Sequence, residues 1–416
     1  MLQQVPRSPQ ATELTESRDL RFGEVRLSAS GELDALAPAW RAFEQVADCT
    51  PFQTFAWLDA WMRFIGTAAG TQPAIVLGHK PNGDLLFILP LAIERAMFSR
   101  RLVFLGHALC DYNAPLLAPD FPVFVPEAKS AEWLAACRRL LRQDPAFRHD
   151  AVVFDKMPGR VGGQANPLAA LKTILHASGA HPVPLMADWD SFYAAKRSST
   201  ARRRDRSRRR RLEELGEVRF VTPTEPASVQ EAVNLLFEQK ARSFARMGVR
   251  NLFAQPGHRE FFGAAALAET THVSRLDIGS RCAAVNLGLM FRGCYYHVLT
   301  TYDEDLARFG PGTVHLRELM RYAIAHRCHT FDFTVGDEPF KREWSDVELA
   351  LYDHASSVNL VGFVDGFLLR LKLRAKRFIK HSPRLWALAT RLRPLLASLK
   401  EKWARRAKQH PARDPI

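Results

Sequence analysis

The stretch that most limits what this chain can fold into is residues 295–344, YYHVLTTYDEDLARFGPGTVHLRELMRYAIAHRCHTFDFTVGDEPFKREW. Tyr295 to Thr301 is rich in aromatic and β-branched residues and predicts a strand. Arg308-Phe309-Gly310-Pro311-Gly312-Thr313 is a breaker cluster. After it, Leu316, Leu319, Met320, Ala323 and Ile324 recur at helical spacing and give one apolar face. His329 to Val335 then alternates, with Phe331, Phe333 and Val335 to one side and Asp332 and Thr334 to the other. A strand, a turn with little side-chain bulk and a helix start bring free amides and the positive end of a helix dipole together, which suits an anion. The same turn also reads as a plain connection between strand and helix.

The order of features here resembles acyltransferases of the GNAT fold, of the CelD/BcsL type named for cellulose biosynthesis and related to the FemAB-like transferases. The shared marks are Pro311-Gly312-Thr313 at a helix start, then Phe331-Asp332-Phe333, Gly336-Asp337-Glu338, Phe340-Lys341 and Trp344. Two positions depart from the pattern. Phe340 stands where the family has Tyr, and Arg308 lies one residue too close to Gly310 for the usual pyrophosphate loop. The resemblance implies an α/β (α+β) fold of tandem GNAT-like domains with mixed central sheets, followed by C-terminal helices.

The chain has 416 residues, 58 Lys and Arg against 44 Asp and Glu, and a net charge of +14. Its length allows two or three domains. The charge favours an anionic partner: a nucleotide cofactor, a membrane surface or nucleic acid. Six scattered cysteines show no CxxC and no zinc spacing, which predicts reduced thiols, no metal and a cytoplasmic setting. The N-terminus lacks the pattern of a secretory signal, and residues 1–20 are polar and expected to be disordered. No apolar window is long enough to span a bilayer.

Domain boundaries are expected as 21–180 for an N-terminal GNAT-like domain, 185–358 for the acyltransferase domain and 360–410 for basic amphipathic helices broken near Ser382-Pro383. A hairpin turning at Asn82-Gly83 joins strands 73–79 and 85–93. Asp111 and Tyr112 fall in a D-Y-x-x-P-L stretch, either an Asx turn or a loop facing the acceptor. Residues 196–215, KRSSTARRRDRSRRRRLEEL, predict a basic helix capped by Ser199 or Thr200 and stopped at Gly216. The last strand is expected within 347–358. Helices, paired strands and a polar loop recur in both halves, which suggests an internal duplication.

An acyl transferase must hold an activated thioester, polarise its carbonyl, deprotonate an acceptor and protonate the leaving thiolate. Through the resemblance, Arg308, Gly310, Gly312 and Thr313 are expected to bind the pyrophosphate of acetyl-CoA or another acyl-CoA, between parted strands 295–301 and 329–335. Asp332, Tyr302 and Lys341 are the candidates for proton transfer, although Asp332 equally suits an ion pair with Lys341. Asp337, Trp344, Asp111 and Tyr112 are expected near the acceptor. His297 is an alternative base or a packed ring. The expected activity is N- or O-acylation of a sugar, polysaccharide precursor or other cell-envelope intermediate. Its rivals are a FemAB-like transferase using aminoacyl-tRNA and a catalytically degenerate scaffold in exopolysaccharide assembly. Specific nucleic-acid binding is not expected, and residues 360–410 suit peripheral contact with an anionic membrane at its inner face.

Overall fold

Short, largely apolar strands, many of them buried on both faces, build three main sheets among the described residues, 20–382 of the computed structural model. The first is five-stranded: Leu20–Phe22, Val25–Ser30, Ile75–His79, Leu85–Leu89 and Leu116–Leu117, in that order. Its hairpin turns where Asn82-Gly83 predicts, with Gly83 at φ +92°. The expected long second strand is cut at Pro90, which has no N–H for a ladder. Its remainder, Leu91–Arg95, pairs instead in the second sheet.

That second sheet contains β1 (Arg100–Phe104) and β2 (Ala151–Pro158), parallel but paired only at Arg101↔Ala151 and Leu102↔Val152. The helix Ser130–Gln143 lies between them in sequence. Past the paired residues, the loop after β1 packs on β2. Lys156 donates to the carbonyls of His107 and Cys110, and Asn113 donates to Asp155 O at 2.9 Å.

The third sheet has the order β3 (Ala180–Pro184), β8 (Thr330–Val335), β7 (Cys294–Tyr302), β6 (Arg281–Phe291), β5 (Thr271–Ile278), β4 (Val218–Val221). Here too one parallel pair stands among antiparallel ones: β7 and β8, joined through the helix α2 (Pro311–Ala325). The tandem arrangement of mixed α/β sheets expected from the sequence is therefore present, with a helix at its C-terminal side.

One strand crosses the boundary expected at 180–185, and another lies within it. β9 (Leu351–Ser357) lies antiparallel on β2, inside the second sheet, although it follows all of the third sheet in sequence. β3 reaches forward to cover the outer edge of β8. Each exchange closes a sheet edge that would otherwise expose its backbone groups. Periodicity shows that a segment is a strand but not which edge it seeks.

The predicted basic helix is α1 (Ser199–Glu213), and a separate helix, Trp189–Lys196, precedes it across Arg197 in extended backbone. Ser198, rather than Ser199 or Thr200, caps α1, its Oγ accepting from Ala201 N at 3.2 Å. At the other end of the chain, α3 (Leu360–His381) begins at the cap Asn359 and ends at Ser382, at the predicted break. The second basic helix and residues 1–19 lie outside the described residues.

The core is rich in aromatics. Trp40, Phe52, Phe87, Phe104, Trp133 and Phe154 fill the first half, and Tyr295, Phe331, Phe333 and Trp344 the second. Arg292, at the β6–β7 turn, ties the halves by donating to the carbonyls of Glu44 and Ala47 at 2.6 and 2.5 Å.

Candidate active site

β7 and β8 pair at Cys294↔Thr330, Tyr295↔Phe331 and Tyr296↔Asp332, and their pairing ends there. Beyond it lies a cleft of about 440 Å³, bounded by His297, Thr300 and Tyr302 of β7, the start of α2, and Phe340, Glu343 and Trp344 beyond β8. Gly310 is the N-cap of α2 in left-handed backbone, φ +71° and ψ 46°, where any side chain is strained. Pro311 follows at the first helical position, where its missing N–H costs nothing. The amides of Thr313 and Val314 turn back to Gly310 O at 3.1 and 3.3 Å. The N–H of Gly312, one residue earlier, lies in the turn whose amides have no intrahelical acceptor. Both glycines are also sites of close approach. A Cβ on Gly310 would meet Arg208 Cδ at 3.2 Å, and one on Gly312 would meet the Tyr302 ring at 3.2 Å.

The cationic wall comes from α1. Asp205 is fully buried and gathers three partners: Tyr193 Oη at 2.9 Å, Arg197 Nε at 3.4 Å and Arg208 Nη1 at 3.3 Å. This anchor holds Arg208 at the cleft beside Arg211 and Arg308. Arg209 fixes α1 to α2 by donating to Glu318 at 2.7 Å. Arg197 lies 4.9 Å over the Trp344 ring and donates to Glu343 at 2.9 Å. Trp344 stacks near-parallel to Phe192 with ring centres 6.2 Å apart. One chain of charge, Asp205 to Arg197 to Glu343, thus frames an aromatic wall.

The residues expected to act together divide into two groups. Tyr302, Arg308, Gly310, Gly312, Thr313 and Trp344 meet at the cleft. Asp332, Tyr112, Asp111 and Lys341 meet instead between the halves, and Asp337 is held at α3. The alternation of β8 explains the split: Phe331 and Phe333 pack with the α2 side of the sheet, so Asp332 points the other way. There it accepts from Tyr112 Oη and from Thr334 N, both at 2.7 Å. Burial raises its carboxyl to about 6, against the lowering effect of those two hydrogen bonds. Burial also raises Asp111, opposed by the Lys156 charge and a hydrogen bond with Thr334. Thr334 is buried in left-handed backbone at φ +57°, a strained conformation for a β-branched residue.

Lys341 is buried and satisfied. Its ammonium donates to Val335 O at 3.0 Å and pairs with Glu338 at 3.0 Å, so it does not pair with Asp332 as one sequence reading had it. Asp337 is held by Lys380 of α3 at 2.6 Å. Burial raises its carboxyl, but Lys380 outweighs this and the net displacement is downward.

Sequence reading missed Glu343, Arg208 and Arg211 at the cleft. The available signal was thin: Glu343 directly precedes the signature Trp344, and α1 carries an arginine on nearly every face, so its inward positions cannot be told apart. His297, weighed only as an alternative, does line the cleft. Its burial, then the charge of Lys341, lowers it to about 3, so the imidazole is neutral. Behind it a buried polar chain runs under the sheet. His315 Nε2 lies 3.0 Å from Ser274 Oγ, and Tyr295 Oη donates to Asn286 Oδ1 at 2.7 Å while lying 2.9 Å from His272 Nδ1. Burial lowers His315 to about 3 and His272 to about 4.

A family model described as "Acetyltransferase (GNAT) domain" matches residues 199–342, the span from α1 through the cleft. Residues 199–342 form a GNAT-type acetyltransferase domain. Among solved structures, FemX is similar over 77% of this chain and 94% of its own, with 11% identity and a TM-score of 0.52. That likeness extends the shared fold to both halves. A C-terminal domain of a putative lysylphosphatidylglycerol synthetase from Agrobacterium fabrum matches over 76% of this chain and 93% of its own, with 12% identity and a TM-score of 0.46. A tandem GNAT protein from the clavulanic acid biosynthesis pathway matches over 81% and 99%, with 11% identity and a TM-score of 0.43. No curated protein matches the chain. The CelD/BcsL subtype does not appear among these likenesses.

Proposed function

We propose that this GNAT-fold acyltransferase uses acyl-CoA as donor and an amine or hydroxyl of a cell-envelope sugar or related intermediate as acceptor. The observation that carries this reading is the cleft where β7 and β8 part, which opens on the amide-bearing start of α2. An anionic diphosphate suits that corner, with the N–H of Gly312, the helix dipole and the guanidinium groups of Arg208, Arg211 and Arg308 around it. A slender thioester arm suits the apolar wall of Leu316, Phe340 and Trp344.

In the reaction, the acceptor nitrogen or oxygen attacks the thioester carbonyl carbon and the carbon–sulfur bond breaks. Glu343, the carboxylate of the cleft wall, takes the acceptor proton. Tyr302, at the mouth and 40% exposed, returns a proton to the leaving thiolate. Asp332 and Lys341 act as positioning residues. Asp332 holds Thr334, and Lys341 holds Val335, so together they fix the end of β8 away from β7.

A second reading has its own observation. α1 exposes Arg203, Arg204, Arg206 and Arg210 to solvent, which suits a donor carried on RNA. A thermal-shift comparison separates the two. Stabilisation by acetyl-CoA that disappears in Gly312→Trp supports the first. Salt-sensitive tRNA binding that disappears when Arg202 to Arg211 are neutralised, with no response to acetyl-CoA, replaces it by the second.

A further inference from the structure

α3 carries an apolar stripe that faces solvent. Leu360, Phe363, Val364, Phe367, Leu368 and Leu371 recur at i, i+3, i+4, i+7, i+8 and i+11, and each is between 54% and 86% exposed. Such spacing normally marks the face a helix buries. Here the opposite face does the packing: Gly362 lies so close to the Asp150 backbone that a Cβ would clash at 1.7 Å, and Arg370 donates to Ala355 O at 3.3 Å. A second segment joins the stripe. The hairpin tip before β1 carries Met97 and Phe98, 86% and 82% exposed. Asp365 of α3 ties this tip down, accepting from Ser99 Oγ at 2.8 Å and Arg101 Nε at 2.7 Å.

Charge decides what covers this surface. Residues 366–400 hold ten Lys and Arg and no Asp or Glu. Lys372 and Arg374 flank the stripe on α3. Among the described residues no helix is long and apolar enough to cross a membrane. A 22-residue helix with an apolar stripe, basic flanks and no acidic residue beyond its first turns has the make-up of one that lies in the plane of a bilayer interface.

We propose that α3 and the Met97–Phe98 tip dock the protein on the surface of an anionic phospholipid bilayer. The stripe enters the acyl boundary, the tip adds a second insertion point, and Lys372 and Arg374 meet lipid phosphates, while Arg370, Arg377 and Lys380 bond the protein body. Asp337, within the signature Gly336-Asp337-Glu338, is bonded to Lys380 of the same helix, so docking also fixes the catalytic half relative to the membrane plane. The inference stands independently of the donor.

The test is sedimentation of the full chain with vesicles of phosphatidylcholine alone or mixed with phosphatidylglycerol. Binding is expected only with the anionic lipid and is expected to weaken with salt. The double variant Phe367→Ser, Leu371→Ser is expected to bind about tenfold or more weakly. Met97→Ser with Phe98→Ser, on a different element, is expected to weaken it as well. All four side chains are exposed, so circular dichroism and the thermal midpoint should match the wild type. Failure to bind either vesicle, equal binding to both, or unchanged binding by both double variants overturns the proposal. So does a wild-type dimer that the Phe367 and Leu371 changes turn into a monomer, which would make the stripe a contact between copies of the chain.

Discussion

The phenol of Tyr112 donates to Asp332 Oδ2 at 2.7 Å, joining residues 220 positions apart and the two halves of the protein. Both groups are buried, and the same carboxylate holds the strained Thr334 through its amide. The bond therefore links the first half to the point where β8 leaves its partner.

Tyr112→Phe keeps the ring against Phe52 and Tyr296 and removes only the donor. It leaves a buried carboxylate short of one hydrogen bond, which costs about 1–3 kcal/mol. Urea unfolding is the measurement. A variant as stable as the wild type would mean that water replaces the phenol and that the halves are held elsewhere.

Acid should destabilise the fold below pH 6.5. His272, His297 and His315 sit at about 4, 3 and 3 in the folded state, below the ordinary histidine value near 6.5. Their stability contribution is complete above pH 6.5 and is lost as pH falls, because the unfolded chain takes up protons that the folded chain refuses. Asp332 works the other way. Its folded value of about 6 lies above the unfolded one, so its ionisation removes stability as pH rises from about 4 to 6. Three groups outweigh one, so the net of these four is a loss of stability as pH falls below 6.5. Denaturation series at pH 7 and pH 5 check the sign. Asp332→Asn should steepen the loss, since it removes the opposing term.

Asp205→Ala should be among the most damaging single changes. It strips the partner from Arg197, itself only 6% exposed, and from Arg208 and Tyr193. Removing one member of a buried ionic cluster costs about 3–5 kcal/mol. The expected readout is a large fall in unfolding free energy, together with a weaker response to polyphosphate ligands because Arg208 is no longer held. An effect below 1 kcal/mol would mean that the cluster is solvated.

Gly310→Ala forces a Cβ into left-handed backbone and is expected to cost about 1–2 kcal/mol. Gly312 has ordinary helical backbone, so Gly312→Ala displaces only the Tyr302 ring and should leave stability within about 0.5 kcal/mol. Equal costs at the two positions would show that crowding, not backbone strain, selects glycine in this turn.

Much of the local structure was legible. The α2 residues assigned to its apolar face, Leu316, Leu319, Met320, Ala323 and Ile324, are all buried, because helical period and burial are two views of one constraint. The turn at Gly310 was legible because only glycine occupies that backbone cheaply. The alternation of β8 was read correctly from Phe331 to Phe333, but Thr334 in left-handed backbone sends Val335 to the other core cluster, away from the two phenylalanines. What it could not tell was which side of the sheet held the cleft, so Asp332 was expected there and lies opposite.

The sequence by itself determined the elements: strand, glycine turn, helix and strand, repeated in two halves, since each depends on residues a few positions apart. Only the tertiary structure decided that β9 closes the sheet of the first half, that Arg208 and Glu343 reach the cleft, and that Asp332 answers to Tyr112. Those relationships depend on which edges and faces meet across hundreds of residues. Burial and electrostatic pairing select that meeting, and no local periodicity encodes it.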